Sequence, residues 1–267
     1  MKTTKFKPSE VGPIPEEWEV KRLRDVCDKI RNGYGYDFRE HGTYPMSRIE
    51  TISSGEINYS RVALIEDEPP PEYRLRPGDI LYSHINSLPY IGNIAQYYGS
   101  GCLYHGMNLL LVRPANTVDS VYLKYILKSE PMRNLARSAA KVAINQASIS
   151  TKELAQFQIV LPPRPEQEKI AEALSDVDAL LAAMTKLIEK KRAVKQGAMQ
   201  QLLTGQKRLA GFTGKWVEKR LGDVVEINPS LESVIPEKFV YVDLESVAGG
   251  RLLERKLVLR ERAPSRA

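Results

Sequence analysis

Four short stretches of the chain carry the residue types that recognise base edges and phosphates. Arg31, Asn32, Tyr34, Tyr36 and Arg39 fall within RNGYGYDFR, while His84, Asn86 and Tyr90 follow an apolar run. His105 and Asn108 form a third group, and Lys141, Asn145 and Gln146 a fourth. Arg and Lys match the acceptors of guanine, Asn and Gln match adenine, and aromatic or hydroxyl groups suit shape and phosphate. The chemistry available is therefore DNA readout. Each of these residues also suits an ordinary turn or surface position.

Other chemistries are missing from the sequence. A methyltransferase should show a cofactor-binding glycine motif and an NPPY-like tetrad, and a motor should show GxxxxGK[ST]; none is present. The GxG within Asn32–Tyr36 lacks a strand-to-helix context, so a tight loop carrying tyrosines is the better reading. His41, His84 and His105 lack the carboxylate spacing of a metal site, and Cys27 and Cys102 form no CxxC pair. No catalytic residue, metal ligand or cofactor site is expected in this chain.

The 267 residues are 42% hydrophobic and carry a formal charge of +6. That length and composition supply one large or two modest cores. The basic balance, with pI near 9.1, is compatible with a polyanionic partner without requiring one. No signal-peptide run and no stretch of roughly 18 apolar residues is present, so a soluble, cytoplasmic protein without a membrane partner is expected.

Short apolar runs must position the candidate residues. GDILYSHI at 78–85, YIGNIAQYY at 90–98 and MNLLLVRP at 107–114 read as strands separated by turn residues. A helix is expected near 119–138, with Pro131 set to interrupt it. Ser150 and Glu153 fit a capping box, and FQIVL at 157–161 reads as a last strand stopped by prolines. After Pro165, as far as Gly205, the sequence has no proline and many helix formers, with Pro165 suited to the first helical position and Gly205 to termination.

Within that helix Ile170, Leu174, Val177, Leu181, Met184 and Ile188 recur at spacings of four and three. This is a coiled-coil seam, and one helix cannot bury it alone. The alternative is a core helix packed on its own domain. Lys186, Lys190, Lys191, Arg192 and Lys195 form a basic cluster suited either to phosphate or to solvent.

The chain also repeats itself. WEVKRLRDV at 18–26 recurs as WVEKRLGDV at 216–224 with six identities in nine, and RIETISSGEI at 48–57 corresponds to DLESVAGGRL at 243–252. A period near 195 residues is far too long for a solenoid, so the repeated unit is a globular domain followed by a long helix. The expected fold is α+β: a mixed α/β recognition domain at 1–161, a long spacer and pairing helix at 162–205, and the start of a second recognition domain at 206–267.

VGPIPEEWEVKRLRDV, RPGDILYS, ISTKELAQFQIVLPPRPEQEKIAEAL and QQLLTGQKRLAGF resemble the specificity subunit of type I restriction–modification systems. The resemblance implies a non-catalytic subunit whose recognition domains each read one half of a gapped, bipartite duplex DNA target. Its long helices would set the gap and dock methyltransferase subunits, with a restriction subunit joining through the complex. S-adenosylmethionine, ATP and Mg belong to those partner subunits. The chain resembles a half-length or truncated form, and pairing with a second copy through the long helix would rebuild two recognition domains. A scaffold protein whose globular head binds another protein is the alternative from a different class.

Overall fold

The computed structural model describes residues 5–37, 41–99, 101–144, 146–227, 236–253 and 256–263. Arg39 and Asn145 lie outside them. The chain divides into two compact units, 1–191 and 192–267.

The core of the first unit forms around MNLLLVRP. Leu109–Pro114 pairs antiparallel with Cys27–Asn32 on one side and Ile80–Ser83 on the other, and Ile94–Gln96 completes a four-stranded sheet. Leu109, Leu110, Leu111 and Val112 are all 0% exposed. An unbroken apolar run of this kind belongs to a strand covered on both faces.

Side chains alternate across the sheet, and the core splits accordingly. Leu110, Val112, Ile80, Tyr82 and Ile94 point into a cluster with Leu123, Leu127, Leu154, Phe157 and Ile159. Leu109, Leu111, Leu81 and Ala95 point the other way, toward Ile52, Leu75, Tyr97 and Leu103. Each such side chain contributes roughly 1.5–3 kcal/mol of transfer free energy.

Helix α1 (Ser120–Lys128) starts at Asp119, whose Oδ1 accepts from the amides of Val121 at 3.0 Å and Tyr122 at 2.8 Å. Helix α2 (Glu130–Ala139) follows after a break at the extended Ser129. The expected interruption is present and falls two residues before Pro131. Proline has no N–H for the Leu127 carbonyl, and its ring would clash there, so the helix stops first. Helix α3 (Thr151–Ala155) carries the expected capping box: Ser150 N donates to Glu153 Oε2 at 2.8 Å, and Glu153 N donates to Ser150 Oγ at 3.2 Å. Gln158–Leu161 then pairs with Glu19–Arg22, the strand of the first WEVKR copy.

The motif RPGDIL owes its Asp to a buried ion pair. Asp79 accepts from Arg113 Nε at 2.7 Å, Arg113 Nη2 at 2.6 Å and the Arg76 amide at 2.7 Å. This fork ties the turn before Ile80–Ser83 to the neighbouring strand.

Helix α4 runs 40 residues, Arg164–Leu203, beginning one residue before Pro165 and followed by Gly205 at φ 72°. Its first turns are locked by Gln167, which is 2% exposed. Gln167 Nε2 donates to the Pro162 carbonyl at 2.8 Å, and its Oε1 accepts from Asp119 N at 2.9 Å. Trp18 Nε1 donates to Glu166 Oε2 at 3.0 Å, and the Tyr125 hydroxyl donates to Asp178 Oδ2 at 2.9 Å. Ile170 is half-buried against this base. Leu174, Val177, Leu181, Met184 and Ile188 stand 41–56% exposed. No helix among the described residues is long and apolar enough to cross a membrane.

The repeat read in the sequence has a structural counterpart inside each unit. Tyr44–Met46 pairs with Ala63–Ile65 in the first, and Lys238–Tyr241 pairs with Lys256–Leu259 in the second. Each hairpin encloses a short 3-10 turn, Ile49–Ile52 and Leu244–Ser246. In both turns a buried hydroxyl accepts from the backbone before it: Thr51 Oγ1 from Arg48 N at 3.1 Å, and Ser246 Oγ from Asp243 N at 3.4 Å. The WEVKRLRDV and WVEKRLGDV copies likewise share 3-10 turns at Leu23–Asp25 and Leu221–Asp223.

Candidate nucleic-acid interface

One cleft of about 690 Å³ gathers a residue from each of the four sequence groups: Asn32, His84, Asn108 and Lys141. They arrive from distant segments because the central sheet pairs Asn32 with Leu110 and Leu109 with Ser83. Lys141 comes from a two-stranded ribbon, Lys141–Ala143 with Gln146–Ser148, that adds onto Ile85–Asn86 beside His84.

Arg31 and Asn32 end a strand instead of lying in the expected loop, because Cys27–Asn32 is an edge of the sheet. Arg31 stacks on Tyr73 with its guanidinium carbon 3.9 Å from the ring centroid. Tyr73 in turn meets Tyr34 edge-on at 5.1 Å. Tyr34 and Tyr36 are half-buried against a small core of Met46, Ala63, Ile65 and Tyr104. They also line a second cleft of about 520 Å³ with Asp37, Glu66 and Asp67, and Met107 lines both clefts.

The loops are knit too closely for side chains at two glycines. A Cβ on Gly33 would lie 1.9 Å from the Gly106 carbonyl oxygen, and one on Gly106 would lie 2.0 Å from that of Ser47. Asn108 has φ 66°, the left-handed region that Asn tolerates better than most residues. Its backbone thus has a structural reason to be Asn, and its side chain remains exposed in the cleft.

The two histidines differ from the exposed contacts that their loop-like sequence suggested. His105 is 0% exposed, and its Nε2 lies 3.0 Å from the Leu109 carbonyl, which a neutral ring protonated at Nε2 satisfies. It is packed inside, beneath the turn that carries Asn108. His84 is 6% exposed and lines the cleft, with Nδ1 lacking a hydrogen-bond partner. Burial lowers both rings to about 4, so both are neutral near pH 7.

Asn86 spends its side chain locally: Nδ2 donates to Ser83 Oγ at 3.1 Å and Oδ1 accepts from Ser87 N at 2.8 Å. Tyr90 is 54% exposed in the turn that follows. Gln146 is exposed on the ribbon, and Lys141 is exposed with Glu153 at 3.6 Å. The Glu153 carboxylate is held below its usual range chiefly by the Ser150 amide, and it is committed to the cap of α3.

Sequence reading missed Ser148, Thr151 and Lys152, which also line the larger cleft. Their residue types carried the signal, but Thr151 and Lys152 stand in the first turn of α3 beside its capping box, and Ser148 ends the ribbon strand just before it. Among the described residues no group of three or more His, Cys, Asp or Glu could hold a metal ion.

Residues 15–192 match the family model described as type I restriction modification DNA specificity domain. A Methanocaldococcus jannaschii protein bearing the name type I restriction enzyme MjaX specificity subunit is 44% identical over 209 residues, 76% of this chain and 49% of that protein. The type I restriction enzyme MjaVIII specificity subunit of the same organism is 29% identical, over 76% of this chain and 49% of its own length. The chain thus spans about half the length of the curated relatives it matches. A solved chain, described under complex assembly and conformational transition of the type I R-M system, shares the fold at TM-score 0.54 and 22% identity, covering 73% of this chain and 47% of its own. The α+β recognition domain and its long helix are those of the type I restriction modification DNA specificity domain family, to which this chain belongs.

Proposed function

We propose that the chain is the sequence-reading part of a type I restriction–modification complex and that it grips duplex DNA along the Asn32–His84–Asn108–Lys141 cleft. The observation that carries this reading is the convergence of four separate readout stretches on one cleft. Asn32 and Asn108 offer paired donor and acceptor groups for a base edge, and Lys141 and Lys152 offer charge to phosphate. Nδ1 of His84 is a buried polar atom without a partner. A base edge in the cleft would satisfy it.

In this reading the recognition domain occupies 1–161, the pairing helix 162–205 and the beginning of a second recognition domain 206–267. The chain itself is non-catalytic. Methyltransferase subunits dock along the helical region, a restriction subunit joins through them, and S-adenosylmethionine, ATP and Mg act in those partners. The exposed seam of α4 supports pairing with a second copy, since isolated helices cannot cover such a stripe.

The test is fluorescence anisotropy of the chain on duplex DNA at increasing ionic strength. Two phosphate contacts, by Lys141 and Lys152, give a log–log slope near −1.8, or about a twelvefold loss between roughly 50 and 200 mM salt. Affinity indifferent to salt would favour the scaffold reading, in which the globular head binds protein.

A further inference from the structure

The ribbon Lys141–Ser148 stands out from the cleft wall. Its inner strand is anchored: Ala147 pairs with Asn86 and is 1% exposed. Val142 and Ala143 on the outer strand, and Gln146 opposite Ala143, are exposed. At its turn sits Ile144, 93% exposed, and no described large apolar side chain is more exposed. A lone exposed aliphatic residue on a protein surface is ordinary. This one caps a two-stranded ribbon whose base, at Lys141 and Ser148, lines the candidate DNA cleft.

Dimensions decide which groove such a ribbon fits. Two strands lie about 4.8 Å apart, and side chains widen the ribbon to roughly 10 Å. Two of its three paired positions are also held against Ile85–Asn86, so what extends beyond that third strand is the Ala143–Gln146 pair, about 3.4 Å of rise, and the turn that carries Ile144. The major groove of B-DNA, about 12 Å wide and 8.5 Å deep, admits a ribbon of that size; the minor groove, about 6 Å wide, does not. In the major groove the apolar feature of a base pair is the C5-methyl group of thymine. An isoleucine at the leading turn, beside the Ala143–Gln146 pair, is suited to it.

Building on the DNA-reading assignment of the cleft, we propose that the tip of the Lys141–Ser148 ribbon enters the major groove and that Ile144 reads the methyl group of a thymine, with a polar contact from Gln146 beside it. Ile144 is then a specificity-determining contact, and the ribbon is the element that sets the depth of insertion.

The experiment uses the full chain and duplexes that it selects from a random-sequence pool. In a selected duplex each thymine is replaced, one at a time, by deoxyuridine, which lacks only the methyl group. One position should weaken wild-type binding by about fourfold, the worth of one buried methyl-sized group. Ile144→Ala, which should melt at the wild-type temperature because the side chain touches little, should bind more weakly and show no further loss at that position. Equal wild-type affinity for every substituted duplex would overturn the proposal while leaving DNA recognition standing, as would an Ile144→Ala protein that keeps the fourfold discrimination. If no duplex is bound at all, the DNA-reading assignment fails and the proposal with it.

Discussion

Replacing Asp79 with Ala should be among the most damaging single changes in the recognition domain. The Asp79 side chain is 1% exposed and that of its partner Arg113 is 11%. The substitution leaves the guanidinium in the sheet without its hydrogen-bonded carboxylate, with Asp28 the remaining nearby charge, and strips the Arg76 amide of its acceptor at 2.7 Å. Removing one partner of a desolvated pair costs about 3–5 kcal/mol. For a domain of this size each kcal/mol lowers Tm by about 2–4 °C, so the shift should be roughly 6–20 °C. Thermal unfolding followed by circular dichroism measures it. Asp79→Leu combined with Arg113→Met removes both charges and should recover most of the loss, because apolar replacements of a buried pair are often neutral. A single-variant shift under about 2 °C would show that the pair is effectively solvated. A double variant as unstable as the single one would show that the loss is packing and not charge.

Three further outcomes follow from the same geometry. The two histidine rings titrate near 4 when folded against an ordinary value of 6.5; the unfolded chain therefore binds more protons between those values, and stability present above pH 6.5 is lost as pH falls toward 4. At pH 5 this amounts to about 2 kcal/mol per ring, so urea unfolding at pH 5 should give about 4 kcal/mol less than at pH 7.5, and His105→Gln should halve the difference. Gln167→Ala leaves the Asp119 amide and the Pro162 carbonyl without partners and should cost about 2 kcal/mol by denaturant titration. Leu181→Glu with Ile188→Glu, both side chains being more than half exposed, should keep the far-UV circular dichroism of the fold while light scattering gives the monomer mass, against the dimer mass that the proposed pairing predicts for the unsubstituted chain.

The sequence made local features legible where one residue type had one physical reason. The capping box at Ser150 and Glu153, the break near Pro131 and the span of α4 were readable because caps, prolines and heptads act over a few residues. The strand over Leu109–Pro114 was readable because a short LLLV run bounded by turn residues fits a strand covered on both faces. Pairing order was not. Nothing local says that Cys27–Asn32 and Ile80–Ser83 flank that strand, so Arg31 and Asn32 read as loop and the convergence of Asn32, His84, Asn108 and Lys141 stayed hidden. His105 misled for a related reason: between Tyr104 and Gly106 it looked like turn chemistry, yet a neutral imidazole can be buried once a carbonyl such as Leu109 accepts its proton. Nor did any local signal name what closes on the glycines of NGYGY and HGM: a Cβ on Gly33 would meet Gly106, and one on Gly106 would meet Ser47.

The central claim is that this cleft reads base sequence. Its most direct test is selection of duplexes from a random-sequence pool by the wild-type chain and by Asn32→Ala in parallel. The wild type should enrich one motif and the variant the same motif relaxed at a single base position, with discrimination there reduced by about 1–3 kcal/mol. Enrichment of no motif by the wild type, or of an identical motif by both proteins, would contradict it.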